Sequence, residues 1–480
     1  MTFADYTSGL SGLLEEKLGD DDSVLIKRAF ELAQKAHTGQ KRASGEDYFD
    51  AHCVPVSYNV AGLHMPATMI AAALLHDSVE DTELTLPEIT EACGAEVASL
   101  VDGVTKLGKL KYRGNERHVE SLRKFFVAIA QDARVVVLKL CDRWHNLSTL
   151  QHLPPEKRQR IALESLMIYA PLASRLGIGK LSTTLSDLAF PYAYPDQYQK
   201  TMDLMRGELS RADEAINSLY GALPKLLEQT LTYAPIIDKR VKTVYSLYKK
   251  LERKDWQADE IHDIVALRVI VQSINDCYRA LGAIHAQWQP LPGRVKDYIA
   301  TPKPNGYQSL HTTILSDSGV IVEVQIRTQD MHLHNEYGIA SHHTYKARRL
   351  GEQNESFNWL GQLGQLTKQK MSPEEYIHDL TADFFADRIF ALTPRGDVID
   401  LPIGATILDF AYQLHTDIGA RAIGGRINGV YRSLDTAITP EAIVEIVTGP
   451  KAHVSEKWLA FVRTSYARTK IKKTLSKRRQ

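Results

Sequence analysis

Cysteine is scarce and scattered. The chain carries four, Cys53, Cys93, Cys141 and Cys277, and none is spaced as a CxxC pair, which argues against a disulfide framework and against a thiolate zinc site. Neither sign of charge is in excess: Lys+Arg and Asp+Glu both number 58. No whole-molecule field therefore draws the chain to nucleic acid or membrane, and any anion chemistry has to come from local pockets. No apolar run approaches the ~20 residues that span a bilayer. The opening MTFADYTSGLSGLLEEKLGDDD is acidic where a signal peptide is basic and then apolar. These absences lead us to expect a cytoplasmic protein without membrane contact. At 480 residues the chain exceeds the ~250 residues at which single cores split, so about three domains are expected.

What is present changes character along the chain. From about Ser23 to Phe190 the apolar residues recur at helical spacing, as in VLIKRAFELAQKAH and RIALESLMIYAPLASRL, and strand signals are scarce. Between roughly Tyr192 and Lys346 the reading is mixed, with a helix TVYSLYKKLERK and strands ALRVIVQ and VIVEVQIRT. A polar stretch from RRLGEQNESFNW to KQKMSPEEYIHD reads as a helical linker. Beyond Asp387 come IFALTP, a turn at Arg395-Gly396-Asp397, VIDLP, a helix TILDFAYQLHTDIG, then RAIGGRINGVYRSL and AIVEIVTG, a pattern that suits a small β-grasp module. From Arg463 the last eighteen residues hold eight Lys/Arg and no acid.

Two places carry chemistry. In LLHDSVEDT an aliphatic helix runs into His76-Asp77 and then offers Glu80 and Asp81; on one helix the pairs His76/Glu80 and Asp77/Asp81 share faces one turn apart. In CDRWHNLST, Asp142, Asn146 and Thr149 fall at i, i+4 and i+7. An adjacent His-Asp with a distant His and a distant Asp supplies mixed nitrogen and oxygen ligands for a divalent ion such as manganese that activates water. Glu80 and Asp81 are then placed for proton transfer or support of the ligands. An isolated His-Asp dipeptide would more often be a satisfied helix end; the length of the surrounding pattern reverses that.

The second place is VIVEVQIRT, where a period of two puts Val320, Val322, Val324 and Ile326 on one face and Glu323, Gln325 and Arg327 on the other. Asp263 precedes the neighbouring strand signal, in the motif that also carries Arg268. Two carboxylates on neighbouring strands can hold magnesium against a triphosphate. In RVKTVYSLYKKL, Lys242, Ser246 and Lys249 fall on one helix side with Arg240 and Lys250 at the ends, enough positive charge for polyphosphate. A loop with Pro302, Pro304 and Gly306 then fixes Tyr307 where its ring can stack on a base, with Asn305 or His311 able to select guanine by hydrogen bonds. A basic helix alone is usually a solvated face; the loop makes the difference.

These motifs together, HTGQKRASGEDY, His52, LLHDSVEDT, DGVTKL, ESLRKFF and LKLCDRWHNLSTL, then RVKTVYSLYKKL and GRVKDYIATPKPNGYQSLHTT, resemble the RelA/SpoT homologue family, bifunctional synthetases and hydrolases of the alarmone (p)ppGpp. The resemblance implies a multidomain α and α+β protein. An all-α HD-type hydrolase domain would occupy residues 1–190 and an α+β nucleotidyltransferase, polymerase-β-like synthetase domain residues 191–350. A helical linker (351–386), a β-grasp TGS domain (387–449) and a basic helical segment (450–480) would follow. It implies His52, His76, Asp77 and Asp142 as manganese ligands, Glu80 and Asp81 as catalytic acids, and Arg42, Ser44, Asn146 and Thr149 as the hydrolase nucleotide pocket. On the synthetase side Asp263 and Glu323 would hold magnesium, with Glu323 also the base on the 3′-hydroxyl. Arg240, Lys242, Lys250 and Arg268 would serve ATP, and Ser246 and Gln325 would also belong to the synthetase nucleotide pocket. Lys303, Asn305, Tyr307 and His311 would serve GDP or GTP.

Arg294-Val-Lys296-Asp297 matches the Arg-x-Lys-Asp of members with both activities. HNEYGIASHHTYK follows the family's AE-x-GIAAHW-x-YK with His343 in place of tryptophan, read as packing. In FALTPRGDVIDLPIGATILDFAYQLHTDIG, His415 matches a histidine implicated in reading the end of a tRNA on the ribosome, so tRNA or ribosome contact is implied. The chain departs from the family at SGEDYFDAHC: Asp47 replaces a proline and one extra residue precedes His52. An alternative is a hydrolase-dominant enzyme whose synthetase half acts mainly as a nucleotide sensor, which Glu323 and Tyr307 disfavour. A noncatalytic RNA-binding protein and a general HD phosphohydrolase are further alternatives.

Overall fold

The computed structural model describes residues 1–14, 18–108, 132–257, 264–303, 305–340, 388–439 and 442–479. They fall into two compact units, one ending at Ala340 and one beginning at Arg388 among the described residues. Asp263, Pro304, His343, the ESLRKFF motif and the expected linker lie outside the described residues.

In the N-terminal part the helical spacing is realised. Among the described residues up to Ala193 no strand forms, and a single isolated bridge, Lys41 with Asp47, closes a loop. The helices that matter for the site are α1 (Asp20–Ala36), α2 (Val54–Ala61), α3 (Ala67–Leu75) and α4 (Ala133–Ser148). Helix α3 is apolar on every side, which requires a central position; Met69, Ile70, Leu74 and Leu75 are all 0% exposed. Each such side chain gains ~1.5–3 kcal/mol on burial, so α3 is a stiff mount for the residues at its end.

The unbroken helix expected across HDSVED is divided. Helix α3 stops at Leu75, His76 caps it, and Asp77 caps a separate four-residue helix, Ser78–Asp81. The His76 ring provides the reason: its Nδ1 meets the Ala73 carbonyl at 2.8 Å, the acceptor that the Asp77 amide would use in a continuing helix. His52 is presented by a π-helical turn, Phe49–Cys53, in which the Val54 amide bonds to the Phe49 carbonyl. A π-turn lengthens a helix by one residue without ending it, and Phe49, His52 and Cys53 stay buried.

Two further helices, α5 (Ala170–Arg175) and α6 (Gly179–Ala193), meet at a corner, and the long α7 (Pro195–Leu231) leads into the second half of this unit. Here β1 (Ile236–Val241), α8 (Val244–Arg253), β2 (Val265–Val271), α9 (Ile274–Gln287), β3 (Lys296–Asp297), β4 (Leu310–Leu315) and β5 (Ile321–Thr328) build a five-stranded sheet. Its order is β1-β2-β5-β4-β3, with β2 and β5 parallel and the other pairs antiparallel. The alternation expected for β5 holds: Val322, Val324 and Ile326 join a core with Leu219, Leu223 and Leu227 of α7, leaving Glu323 and Gln325 on the opposite face. After β5 comes α10 (Gln329–Tyr337). Gly338, at φ +52°, closes that helix directly against the backbone of Gly177 in the α5–α6 corner, leaving no room for a Cβ.

The second unit contains the hairpin β6 (Arg388–Leu392) and β7 (Val398–Pro402), and a sheet of order β10-β8-β9 from β8 (Ala422–Ile427), β9 (Val430–Arg432) and β10 (Val444–Thr448). A parallel bridge from Leu392 to Ile443 joins the two, and Asn428-Gly429, both at positive φ, make the tight turn between β8 and β9. This is the expected β-grasp arrangement. The helix expected over TILDFAYQLHTDIG is instead two, α11 (Ile407–Leu414) and α12 (Thr416–Arg421). His415 sits extended between them at φ −165° and its Nδ1 accepts the Asp417 amide as an N-cap. A basic helix α13 (Ser465–Arg479) follows; the buried Asp409 anchors the segment before it by accepting the Arg463 and Thr464 amides.

Candidate active sites

The four residues expected as metal ligands converge. The end of α3 supplies His76 and Asp77, the π-turn supplies His52, and α4 supplies Asp142. His52 Nε2 is 3.1 Å from Asp77 Oδ2 and 3.4 Å from Asp142 Oδ1. His76 Nε2 is 3.1 Å and 3.9 Å from the same two atoms. One ligand atom each from His52, His76 and Asp142, all buried, lies within 4.8 Å of the others. Donor atoms ~3 Å apart are what ~2.1 Å bonds to one octahedral cation produce. His76 Nε2 is buried and, although close to Asp77, off the line of a hydrogen bond. A buried ring nitrogen that faces carboxylates without a well-aligned hydrogen bond is under-satisfied, and a cation between these groups would complete its coordination. The residues therefore fit a divalent metal.

Supporting contacts fix the two carboxylates. Tyr48 donates to Asp77 Oδ2 at 2.7 Å. Lys139, one turn before Asp142, places its ammonium 2.7 Å from Oδ2, and Asn146 donates to Oδ1 at 2.5 Å. Arg42 donates to Asn146 Oδ1 and Thr149 Oγ1, both at 3.2 Å, and its guanidinium lies over the Tyr48 ring. Asp142, Asn146 and Thr149 thus form the stripe that the i, i+4, i+7 spacing implies. Ser44 instead turns to Glu46, at 2.8 Å. Glu80 is half-buried and Asp81 exposed at the edge of the cluster.

The charges are strongly coupled. Burial opposes the charge on His76, but Asp77 and Asp142 outweigh it and lift its pKa to about 9. Against the same burial, Lys139 and the imidazoles hold Asp142 down at about 2, and His76 and His52 hold Asp77 well below the carboxylate range. Burial pushes His52 down and, with the neighbouring His52 and Arg42 charges, takes His145 to about 3.

The sheet of the second half assembles the other set. Across the strands Asp238, Arg268, Gln325 and His311 form one row, and Arg240, Ala266, Glu323 and Thr313 the next. Glu323 Oε1 accepts from Gln325 Nε2 at 3.0 Å and lies 2.7 Å from His311 Nδ1. His311 Nε2 in turn meets the Tyr307 hydroxyl at 2.8 Å. Gln325 Oε1 accepts from both Arg240 and Arg327 at 2.8 Å. Arg268 is held by Asp238 and Glu336, each at 3.2 Å. Lys303 lies over the Tyr298 and Tyr307 rings, and the Ser246 hydroxyl accepts from Thr243 at the start of α8.

A cavity opens beside this face, lined by Arg240, Asn305, Tyr307 and Arg327 on one side and by Ser174 and Gly177 of the helical half on the other. Tyr307 thus borders open space rather than an apolar interior. Lys242, Ser246, Lys250, Lys303, His311 and Glu323 are not among its lining residues.

Sequence reasoning missed Tyr48, Lys139 and His145, and gave Arg327 a place on the strand face without a role. Lys139 and His145 stand three residues either side of Asp142, so the helical spacing that found Asn146 could have found them. Arg327 was placed on the right face, but its burial to 1% exposure follows only from the tertiary packing. Among the described residues no helix is long and apolar enough to cross a membrane.

Comparison with known proteins agrees with this layout. Residues 29–179 match the HD domain, residues 239–349 the region found in RelA / SpoT proteins, and residues 389–448 the TGS domain. The chain is 43% identical over 94% of its length to a GTP pyrophosphokinase of Myxococcus xanthus, covering 60% of that protein. It is 41% identical over 97% of its length to the bifunctional (p)ppGpp synthase/hydrolase SpoT of Escherichia coli strain K12, covering 67% of it. Among solved structures it is 29% identical to the small alarmone synthetase 2 of Bacillus subtilis, over 34% of this chain and 90% of that one, with a TM-score of 0.26. The chain spans about three fifths of the length of the first curated relatives it matches.

Proposed function

Since the chain belongs to the RelA/SpoT family, we propose that it both makes and degrades (p)ppGpp. The observation that carries this reading is the convergence of His52, His76, Asp77 and Asp142 in a chain that also links Glu323 through Gln325 to Arg240 and through His311 to Tyr307. In synthesis the guanine of GDP or GTP stacks on Tyr307, with Lys303, Asn305 and His311 around it. Glu323 takes the proton of the ribose 3′-hydroxyl as that oxygen bonds to the β-phosphorus of ATP, and AMP leaves with the electrons of the broken P–O bond. Arg240, Lys242, Ser246, Lys250, Arg268 and Gln325 hold the ATP phosphates, and Asp263 with Glu323 would hold magnesium.

In hydrolysis His52, His76, Asp77 and Asp142 would hold manganese, which supplies an activated water at neutral pH. Arg42, Ser44, Asn146 and Thr149 orient the nucleotide. Glu80 and Asp81 carry the proton from water to the departing 3′-oxygen, so that GDP or GTP and pyrophosphate result. The same reading gives the TGS domain a contact with tRNA through His415, which a pull-down with deacylated tRNA tests.

Purified protein is incubated with ATP and GDP and, separately, with ppGpp and Mn²⁺, and the products are resolved. Glu323→Gln should abolish only the first reaction and Asp77→Ala only the second. Loss of both by either variant, or formation of neither product by the parent chain, overturns the proposal.

A further inference from the structure

His145 lies on α4 one turn beyond Asp142, 8% exposed. Its Nδ1 is 2.8 Å from Nδ1 of His52, the rings tilted by 51°. Two imidazole nitrogens this close share one proton: one ring donates and the other accepts. Which ring donates decides what His52 can do. His52 turns Nε2 toward Asp77 and Asp142, and a ring nitrogen that ligates a cation must offer its lone pair there. The single proton of the neutral ring then belongs on Nδ1, facing an acceptor. At His76 that acceptor is the Ala73 carbonyl, 2.8 Å from Nδ1. At His52 the group in the corresponding place is His145 Nδ1.

We propose that His145 is a positioning residue of the metal site: it accepts the Nδ1 proton of His52, so that Nε2 faces the cation with its lone pair free. The inference rests on the reading of this cluster as a divalent-metal site. Without the acceptor, neutral His52 favours its proton on Nε2, where Asp77 and Asp142 wait to receive it. That proton has to leave before a cation can bind. Removal of His145 therefore weakens metal binding while leaving every ligand in the chain. Partners of this kind behind a metal-ligating histidine are worth about 10–100-fold in affinity.

The test compares His145→Leu, which removes the acceptor, with His145→Asn, whose Oδ1 falls where Nδ1 of the histidine was. Free Mn²⁺ is followed by electron paramagnetic resonance during titration of the full chain, and thermal melting in the absence of metal reports the fold. The Leu variant should bind Mn²⁺ about 10–100-fold more weakly than the parent, and the Asn variant within about threefold of it. A folded Leu variant with parental affinity, or an Asn variant that falls as far as Leu, overturns the assignment. If the Leu protein does not fold, His145→Ala takes its place in the same comparison. A parent chain that does not bind Mn²⁺ refutes the metal reading itself, a distinct outcome.

Discussion

The proton on His76 offers the sharpest quantitative test of the metal centre. In the folded, metal-free chain its pKa is raised from 6.5 to about 9, because Asp77 and Asp142 overcome the cost of burial. A raised pKa means that the charged ring stabilises the fold. That contribution is complete below pH 6.5 and is lost as pH climbs through about 9. At 1.36 kcal/mol per pH unit the difference is on the order of 3 kcal/mol. His76 with Asp77 and Asp142 would hold a divalent ion in place of this proton, and the ion would supply the same compensation to the two carboxylates.

Three measurements follow from that exchange. Binding of Mn²⁺ at pH 7.5 should release about one proton, read by calorimetry in buffers of different ionisation enthalpy. Affinity should rise about tenfold per pH unit between pH 6.5 and 8.5. The metal-free chain should lose thermal stability over the same interval while the Mn²⁺-loaded chain does not. A flat affinity across this range, with no proton released, would refute the assignment of a charged His76 to this cluster.

Other expectations concern single groups. Lys139→Met leaves Asp142 without its ammonium; breaking a buried pair costs ~3–5 kcal/mol, so the metal-free melting temperature should fall and Mn²⁺ should raise it more than in the parent, and an unchanged metal-free melt would count against the pairing. Deleting Asp50 shortens the π-turn to an ordinary helical turn; Mn²⁺ affinity should stay within a few-fold, and its loss would show that the turn does more than absorb one residue. Leu74→Ala, in the middle of the buried α3, should destabilise by ~2–5 kcal/mol in urea unfolding without altering the ligand set.

Much of this site is legible in local spacing, because a helix repeats every 3.6 residues whatever surrounds it. Asp142 and Asn146 line up on α4, with Thr149 at its C-cap, for that reason alone. The interruption at His76 is different: it depends on the imidazole taking the Ala73 carbonyl, a side-chain contact to which propensity is blind. The break at His415 is hidden likewise, since apolar periodicity continues across it while the backbone turns extended. His52 reaches the cluster through a π-turn, a geometry with no composition of its own. Its approach to His145 joins segments 93 residues apart, which only tertiary packing can bring about.

The meeting of Gly338 with Gly177 bears on any attempt to study the two halves separately. Ser174 and Gly177 wall the space that Tyr307 faces, and the Asn305 side chain reaches the Ser174 carbonyl at 3.4 Å. Cutting the polypeptide after Ala193 would strip one wall from that recess and unseat a contact made by main chain alone. Constants measured on a severed C-terminal fragment would thus describe a differently shaped vestibule from the one the whole chain presents.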